Sequence, residues 1–497
     1  MAPSPDNDEP LRPDLDRERD LATDTEPTSG SVAVVDDSGS ERHALMDRLG
    51  YDPDDAQVTE LATKPGLRVS VNDDDLVDAD GDDLGGPGDD SDNSLDVSTR
   101  SSGGRVVAFC RRHRILSSIL IVLFPLLCLI GYSWVGAMTK EGSESFMAKN
   151  VQWLRDMHLG FAVDRIEQWQ YGRDQPESGG TPDSIAKPSN LPGSAAPSSA
   201  NPGQPTQSTP ALPKHIQPPA PLKSPAPQPI DYEGVWNGAG PDMGGGLRPM
   251  YYTKVRPNAE KTSLLIFVAW IDPNLAKIEL HPGTELPGGK WLTPPRIPEE
   301  NCGAAIAGLN SGFRMDQARG GYYAEERTQQ QLRNGAASLV LYKDGRMDVG
   351  MWGRDLGPDQ LPNAKAVRQN LELIVDNGAP VPDIDKKDWG ALLPNSYFIW
   401  RTAFGITKEG ALIYVGGPAL QPRDLAQRLI DAGAVRAMEM DINPEWMTAN
   451  LFAKGSDGKC HGVKGLEGPQ DKGGQRPPAD RYLSTDTRDF VAIYSKS

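Results

Sequence analysis

Between Ile115 and Met138 no position is charged; the run reads ILSSILIVLFPLLCLIGYSWVGAM, 24 residues. Wound as a helix it would be about 36 Å long, against about 30 Å of hydrocarbon in a bilayer, so it predicts one transmembrane helix. Pro125 is tolerable in such a helix, and Tyr132 and Trp134 fall where interfacial aromatic residues sit. Over 144–172 the pattern becomes amphipathic. Trp153, Met157, Phe161 and Ile166 recur at roughly helical spacing, with a break at Gly160. A helix or helix pair there would form a stalk, lie on the membrane or pack on the distal domain. The pattern does not choose among these.

Beyond residue 231 the period shortens. Ser263–Trp270 (SLLIFVAW) is a continuous apolar run of strand length, as expected of a strand buried on both faces. Ala336–Trp352 predicts a hairpin around Asp344-Gly345, and Ala403–Val415 another around Glu409-Gly410. Gln369–Asp376 and Ala434–Asp441 read as further strands. Between them Pro422–Ala432 reads as a helix, with Leu425, Leu429 and Ile430 on one face and Gly433 as its stop. Hairpins outnumber helices, so residues 231–497 predict an α+β domain with a mostly antiparallel sheet core and flanking helices.

Charge separates the remaining regions. Of 69 acidic and 51 basic residues, positions 1–100 hold 28 and 8, which leaves 41 and 43 for the rest. The net −18 therefore belongs to the tail. Residues 1–104, with runs such as Asp73-Asp74-Asp75, cannot bury enough apolar surface to fold, and read as a disordered cytoplasmic tail. Its one apolar patch, Leu45, Leu49 and Tyr51, is either a short helix formed on an unidentified cytoplasmic partner or part of the solvated tail. Residues 105–114 form a basic juxtamembrane segment with Arg105, Arg111, Arg112, His113 and Arg114. The flank after the apolar run is nearly neutral. The positive-inside rule then puts the N-terminus in the cytoplasm, the bilayer around 115–138, and the rest outside the cell membrane. A cleaved signal peptide ending at Val135-Gly136-Ala137 competes with this, against the length of both the tail and the apolar run. After the amphipathic segment 139–173, residues 174–230 carry 15 prolines. That composition predicts an extended linker, able to hold the domain on the order of 100 Å from the membrane.

These proportions exclude some classes. No segment offers the clustered basic surface a nucleic-acid binder needs. Four cysteines in 497 residues do not make a disulfide scaffold. Residues 231–497 hold only His281 and His461, neither in a nucleophile-elbow context, which gives no support to a Ser-His-Asp enzyme. Cys302 and Cys460, the two cysteines expected outside, form either a disulfide or a pair of unlinked thiols. With His461 they match no common zinc spacing, and neither a metal nor a cofactor is expected.

Three stretches occur in a suggestive order: AGLNSGF (Ala307–Phe313), WRTAFGI (Trp400–Ile406) and AMEMD (Ala437–Asp441). The set resembles the phosphodiester glycosidase domain family, in a membrane-anchored bacterial form similar to N-acetylglucosamine-1-phosphodiester alpha-N-acetylglucosaminidase. That family shows Asn-Gly-Gly-Phe, then Arg-Thr-(Ala)-x-Gly, then Asp-Gly-Gly-Gly-Ser. The likeness covers about residues 235–495. It implies hydrolysis of a sugar-1-phosphodiester to sugar and phosphomonoester; the expected setting outside the cell membrane makes an envelope glycan the expected substrate. There are departures. Asn310-Ser311-Gly312-Phe313 is one glycine short. Asp441-Ile442-Asn443-Pro444-Glu445-Trp446 keeps the Asp and loses every glycine and the serine, and Pro444 offers no N–H to a phosphate. A glycan-binding or structural protein on the same fold is the alternative.

Such a reaction needs a carboxylate at an oxocarbenium-like sugar carbon and a cation on the departing phosphate. Asp441, Glu439 and Arg401 are the catalytic candidates, since residues 439 and 441 of one strand face the same way. The bland alternative is a polar strand face with Arg401 as its ion-pair partner. Asn310, Gly312, Thr402, Asn443 and Asp316 are the substrate-binding candidates, although Asn310 serves equally well as a turn cap. An open polar cleft lined by Asn310, Arg401 and Asp441 would favour an enzyme. A pocket filled by Trp446 would favour a binder.

Overall fold

The computed structural model describes residues 114–187 except 141 and 143, residues 212–466 except 391 and 392, and residues 477–496. The acidic tail, most of the basic segment and the middle of the proline-rich stretch lie outside the described residues. Helix α1 is Arg114–Met138, with Pro125 inside it. It is long and apolar enough to cross a membrane. The amphipathic segment forms two helices, α2 (Phe146–Asp156) and α3 (Gly160–Arg173). Ser145 caps α2 through Oγ, which accepts from Ala148 N. The break falls at Met157–Leu159, where His158 adopts a φ of 63°.

The distal domain is α+β, and every ladder between its strands is antiparallel. An eight-stranded sheet runs Asn237–Ala239, Met250–Val255, Ile266–Ile271, Leu412–Leu420, Ile399–Thr407, Ala434–Glu439, Leu373–Asp376, Ala379–Pro380 in spatial order. A second sheet, of five strands, centres on Ala305–Asn310, flanked by Ala449–Lys454 and Phe490–Ser495. A third, also of five, contains the Asp344-Gly345 hairpin. One core joins all three sheets, through Phe267, Phe404 and Met438 of the first, Leu309 and Val491 of the second, and Leu339 and Val349 of the third.

The other face of the large sheet builds a second core, in which Val268, Trp270 and Val415 meet Leu425 and Leu429 of helix α4 (Pro422–Asp431). This explains the unbroken apolar run at Ile266–Ile271. Alternate residues enter different cores, so no position faces water. The expected strand over Gln369–Asp376 is in fact two. Ala364–Gln369 ends in the third sheet and Leu373–Asp376 begins in the first, with Leu371 at a φ of 48° between them. A sharp corner of this kind leaves no mark in an apolar pattern, because both strands are buried.

The described residues between 140 and 230 meet the domain at several points. Lys140 pairs with Glu285 at 2.6 Å, Ser145 Oγ donates to Glu445 at 2.9 Å, and Asp156 pairs with Arg314 at 2.9 Å. Gln175 accepts from Phe398 N at 2.8 Å, and Gly179 N donates to Glu260 O at 2.8 Å. Within 212–230, Leu222 and Ala226 are buried and Ile216 N donates to Asp272 at 2.6 Å. The described parts of the proline-rich stretch therefore run along the domain. Proline composition predicts extension; the described residues within 174–230 carry neither helix nor strand and lie against a surface.

Candidate functional site

The three motif stretches converge where the first and second sheets meet. Asn310 ends its strand, and its side-chain amide donates to Thr402 Oγ1 at 2.9 Å and to Ser311 O at 2.8 Å. Its Oδ1 accepts from the Tyr414 hydroxyl at 2.7 Å and from Thr448 N at 3.2 Å. Thr402 in turn receives Asp441 N at Oγ1 (3.1 Å), and Thr402 N donates to Asp441 O at 2.9 Å. Asn310 and Thr402 thus tie the ends of strands together, and both are buried. Neither of the two sequence-based roles for Asn310, sugar contact or turn cap, describes this. Gly312 leaves room for Asn370: a Cβ there would lie 2.5 Å from Asn370 Oδ1. Asn370 holds Phe313 N at 3.0 Å and the carbonyls of Glu439 and Met440 at 2.8 and 2.9 Å. Asp316 stays at the surface beside Arg314, outside this network.

Two ion pairs lie side by side. Arg401 donates to Glu439 Oε1 at 2.5 Å and to Leu420 O at 3.0 Å, with Arg401 1% and Glu439 0% exposed. Burial raises the Glu439 carboxyl to about 7, against the pull of Arg401 and with a further push from Asp441. Its Oε2 has no partner among the described residues. Asp441 lies just past its strand. Its Oδ1 accepts from Asn443 N at 2.9 Å and its Oδ2 from Arg488 Nη1 at 3.2 Å. Burial raises this carboxyl as well, opposed by Arg488. Arg401 is therefore the partner of Glu439, and the cation on Asp441 is Arg488.

Arg488 was invisible as a motif residue. It stands two positions before the strand Phe490–Ser495, and only the pairing of that strand with Ala305–Asn310 brings it to Asp441. Its guanidinium lies 3.7 Å from the centre of the Trp446 ring, a cation–π contact. Burial lowers the guanidinium to about 10, so it stays charged at neutral pH. Arg488 and Trp446 form one wall of a pocket whose other walls are Ala137 and Lys140 at the end of α1, Lys149 and Trp153 of α2, and Glu285. Tyr171 of α3 packs on the core that contains Ile442 and Phe313. Burial raises its phenol, and the charges of Glu167, Asp441 and Glu445 add to the rise. No open cleft is lined by Asn310, Arg401 and Asp441, for all three are buried. The accessible chemistry is a Trp-stacked guanidinium with a carboxylate directly behind it.

Cys302 and Cys460 form a disulfide with a Cα–Cα distance of 5.4 Å. His461 bonds Asp457 at the surface, and no three metal-ligating side chains gather among the described residues.

No protein-family model matches the chain, and no curated protein sequence matches it. Among solved structures it is similar to the zebrafish N-acetylglucosamine-1-phosphodiester alpha-N-acetylglucosaminidase catalytic domain, auto-inhibited by its pro-peptide. That likeness has 15% identity, a TM-score of 0.33, and covers 50% of this chain and 82% of that one. It is a distant likeness of fold alone. A hypothetical protein from Synechocystis matches at 10% identity and a TM-score of 0.27, over 50% of this chain and 62% of that one. A protein from Burkholderia pseudomallei matches at 13% and 0.26, over 46% and 74%.

Proposed function

We propose that the chain is a membrane-anchored hydrolase of glycosyl phosphodiesters, held by α1 with its N-terminus in the cytoplasm and its domain outside, acting on envelope glycans. The observation that carries this is the Asp441–Arg488 pair at 3.2 Å, with Arg488 stacked on Trp446 in a pocket wall. A planar guanidinium with one face on an indole still offers its fork to two phosphate oxygens. Asp441 is then the carboxylate that meets the positive charge developing at the sugar carbon. Arg488 takes the role that residue order suggested for Arg401.

A second reading, binding without cleavage, is favoured by a specific observation: Asp441 is only 2% exposed, and Trp446 in the pocket wall stacks on its partner Arg488. Incubating the purified full chain with a panel of glycosyl-1-phosphodiesters separates the two. Hydrolysis predicts release of free sugar, and Asp441→Asn and Arg488→Ala should each lower the rate about tenfold or more. Retained ligand without release would establish the binder. Neither release nor retention would refute both readings.

A further inference from the structure

Helix α3 has two unlike faces. Val163, Glu167 and Tyr171 turn inward: Val163 is buried, Glu167 pairs with Arg155 at 2.9 Å, and Tyr171 packs on the domain core. The opposite face carries Phe161, Arg165, Trp169, Arg173 and Ile166 within an arc of about 140° at about 100° per residue. Phe161 is 70%, Ile166 62% and Trp169 63% exposed among the described residues. Arg165 and Arg173 are exposed among them, with the Arg173 guanidinium 4.4 Å from the centre of the Trp169 ring. Three large apolar side chains interleaved with two cations is a poor surface to leave in water and a good one for an anionic lipid interface.

Helix α2, which leads into α3, is fastened to the end of α1. Trp134 near the end of α1 donates to Asn150 of α2 at 2.8 Å and meets Phe146 edge-on at 6.2 Å, while Trp153 donates to Ser133 at 3.1 Å. Phe146 and Met147 are exposed beside this junction, next to the exposed apolar length of α1. On the reading that α1 crosses the membrane, α2 is pinned where the helix leaves the bilayer.

We infer that the α2–α3 hairpin lies on the leaflet at the C-terminal end of α1. Phe161, Ile166 and Trp169 sink below the headgroups, and Arg165 and Arg173 sit among anionic ones. The hairpin then acts as a spacer one helix thick, about 10 Å, between the lipid and the Asp441–Trp446 loop. The Arg488–Trp446 pocket, bordered by Ala137 and Lys140, opens at headgroup depth. Its ligand is accordingly a phosphodiester carried by a bilayer lipid rather than a soluble glycan. This deepens the site reading above and rests on it and on the membrane anchor.

The test uses the full chain reconstituted in phosphatidylcholine–phosphatidylglycerol vesicles that contain a lipid with a photoactivatable carbene source in its headgroup. Cross-links are expected on the end of α1, on residues 161–173 and on the peptide around Trp446. The variant with Phe161→Glu, Ile166→Glu and Trp169→Glu, all exposed in the fold, should lose labelling of α3 roughly fivefold or more while α1 keeps its own. Labelling of α1 with a bare α3 would overturn the interfacial seat. Labelling of α3 with a bare Trp446 peptide would overturn the lipid-borne ligand. A bare α1 would overturn the anchor, and the inference with it. Turnover enters none of these readouts, so failure of the hydrolase reading shows separately.

Discussion

Glu439→Gln isolates one buried carboxyl with almost no change of shape. In the folded chain Glu439 is raised from an ordinary 4.5 to about 7, because burial outweighs the attraction of Arg401 and Asp441 adds repulsion. Between those values the folded state holds a proton that the unfolded chain has released. The stabilisation linked to that proton is complete below about pH 4.5 and is lost as pH rises through about 7. At about 1.4 kcal/mol for each pH unit, the interval amounts to about 3 kcal/mol. Glutamine has no such proton to lose. Urea unfolding of the detergent-solubilised full chain, followed by tryptophan fluorescence from pH 4.5 to 8, should therefore show the wild type losing about 3 kcal/mol relative to Glu439→Gln, with a flat difference above about pH 7. Asp424, also raised by burial, titrates alike in both proteins and drops out of the difference. A difference that stays constant, or that moves in favour of the wild type with rising pH, would refute the reasoning. The Arg401 ion pair would then hold Glu439 ionised throughout.

Above about pH 7, where Glu439 is ionised, Arg401→Ala leaves it in the core without its cation and should cost about 3–5 kcal/mol in the same unfolding assay. The double variant Arg401→Met, Glu439→Gln should recover most of that and keep sugar release near wild type; a folded double variant that has lost turnover would return Arg401 to the chemistry. Orientation is open to protease added to intact, wall-stripped cells. The distal domain should be digested and the acidic tail protected, and the reverse pattern would invert the topology.

Much of the fold was legible along the chain because local physics writes it there. An uncharged run of bilayer length, the Gly-centred hairpins and the Pro-started, Gly-stopped helix at 422–431 all came from periods and turn chemistry acting over a few residues. So did the split of the amphipathic segment at Gly160, which the structure moves only to Met157–Leu159. The three motif stretches also announced where strands would meet, since Asn310, Thr402 and Asp441 do come together.

What residue order left open was which charge meets which. Glu439 and Asp441 are two apart and chemically alike. Their cations come from Arg401, on the neighbouring strand, and from Arg488, 47 residues downstream of Asp441. Choosing between them depends on the pairing of Phe490–Ser495 with Ala305–Asn310, a contact of long sequence separation. The same holds for the proline-rich stretch and the helix pair before it. Their composition fixes extension and amphipathicity but not the surface they meet. Only the folded domain supplies Glu285, Arg314, Glu445 and Phe398 as partners that hold them down. Periodicity encodes what one element buries; the identity of its neighbour is decided by the packing of all of them at once.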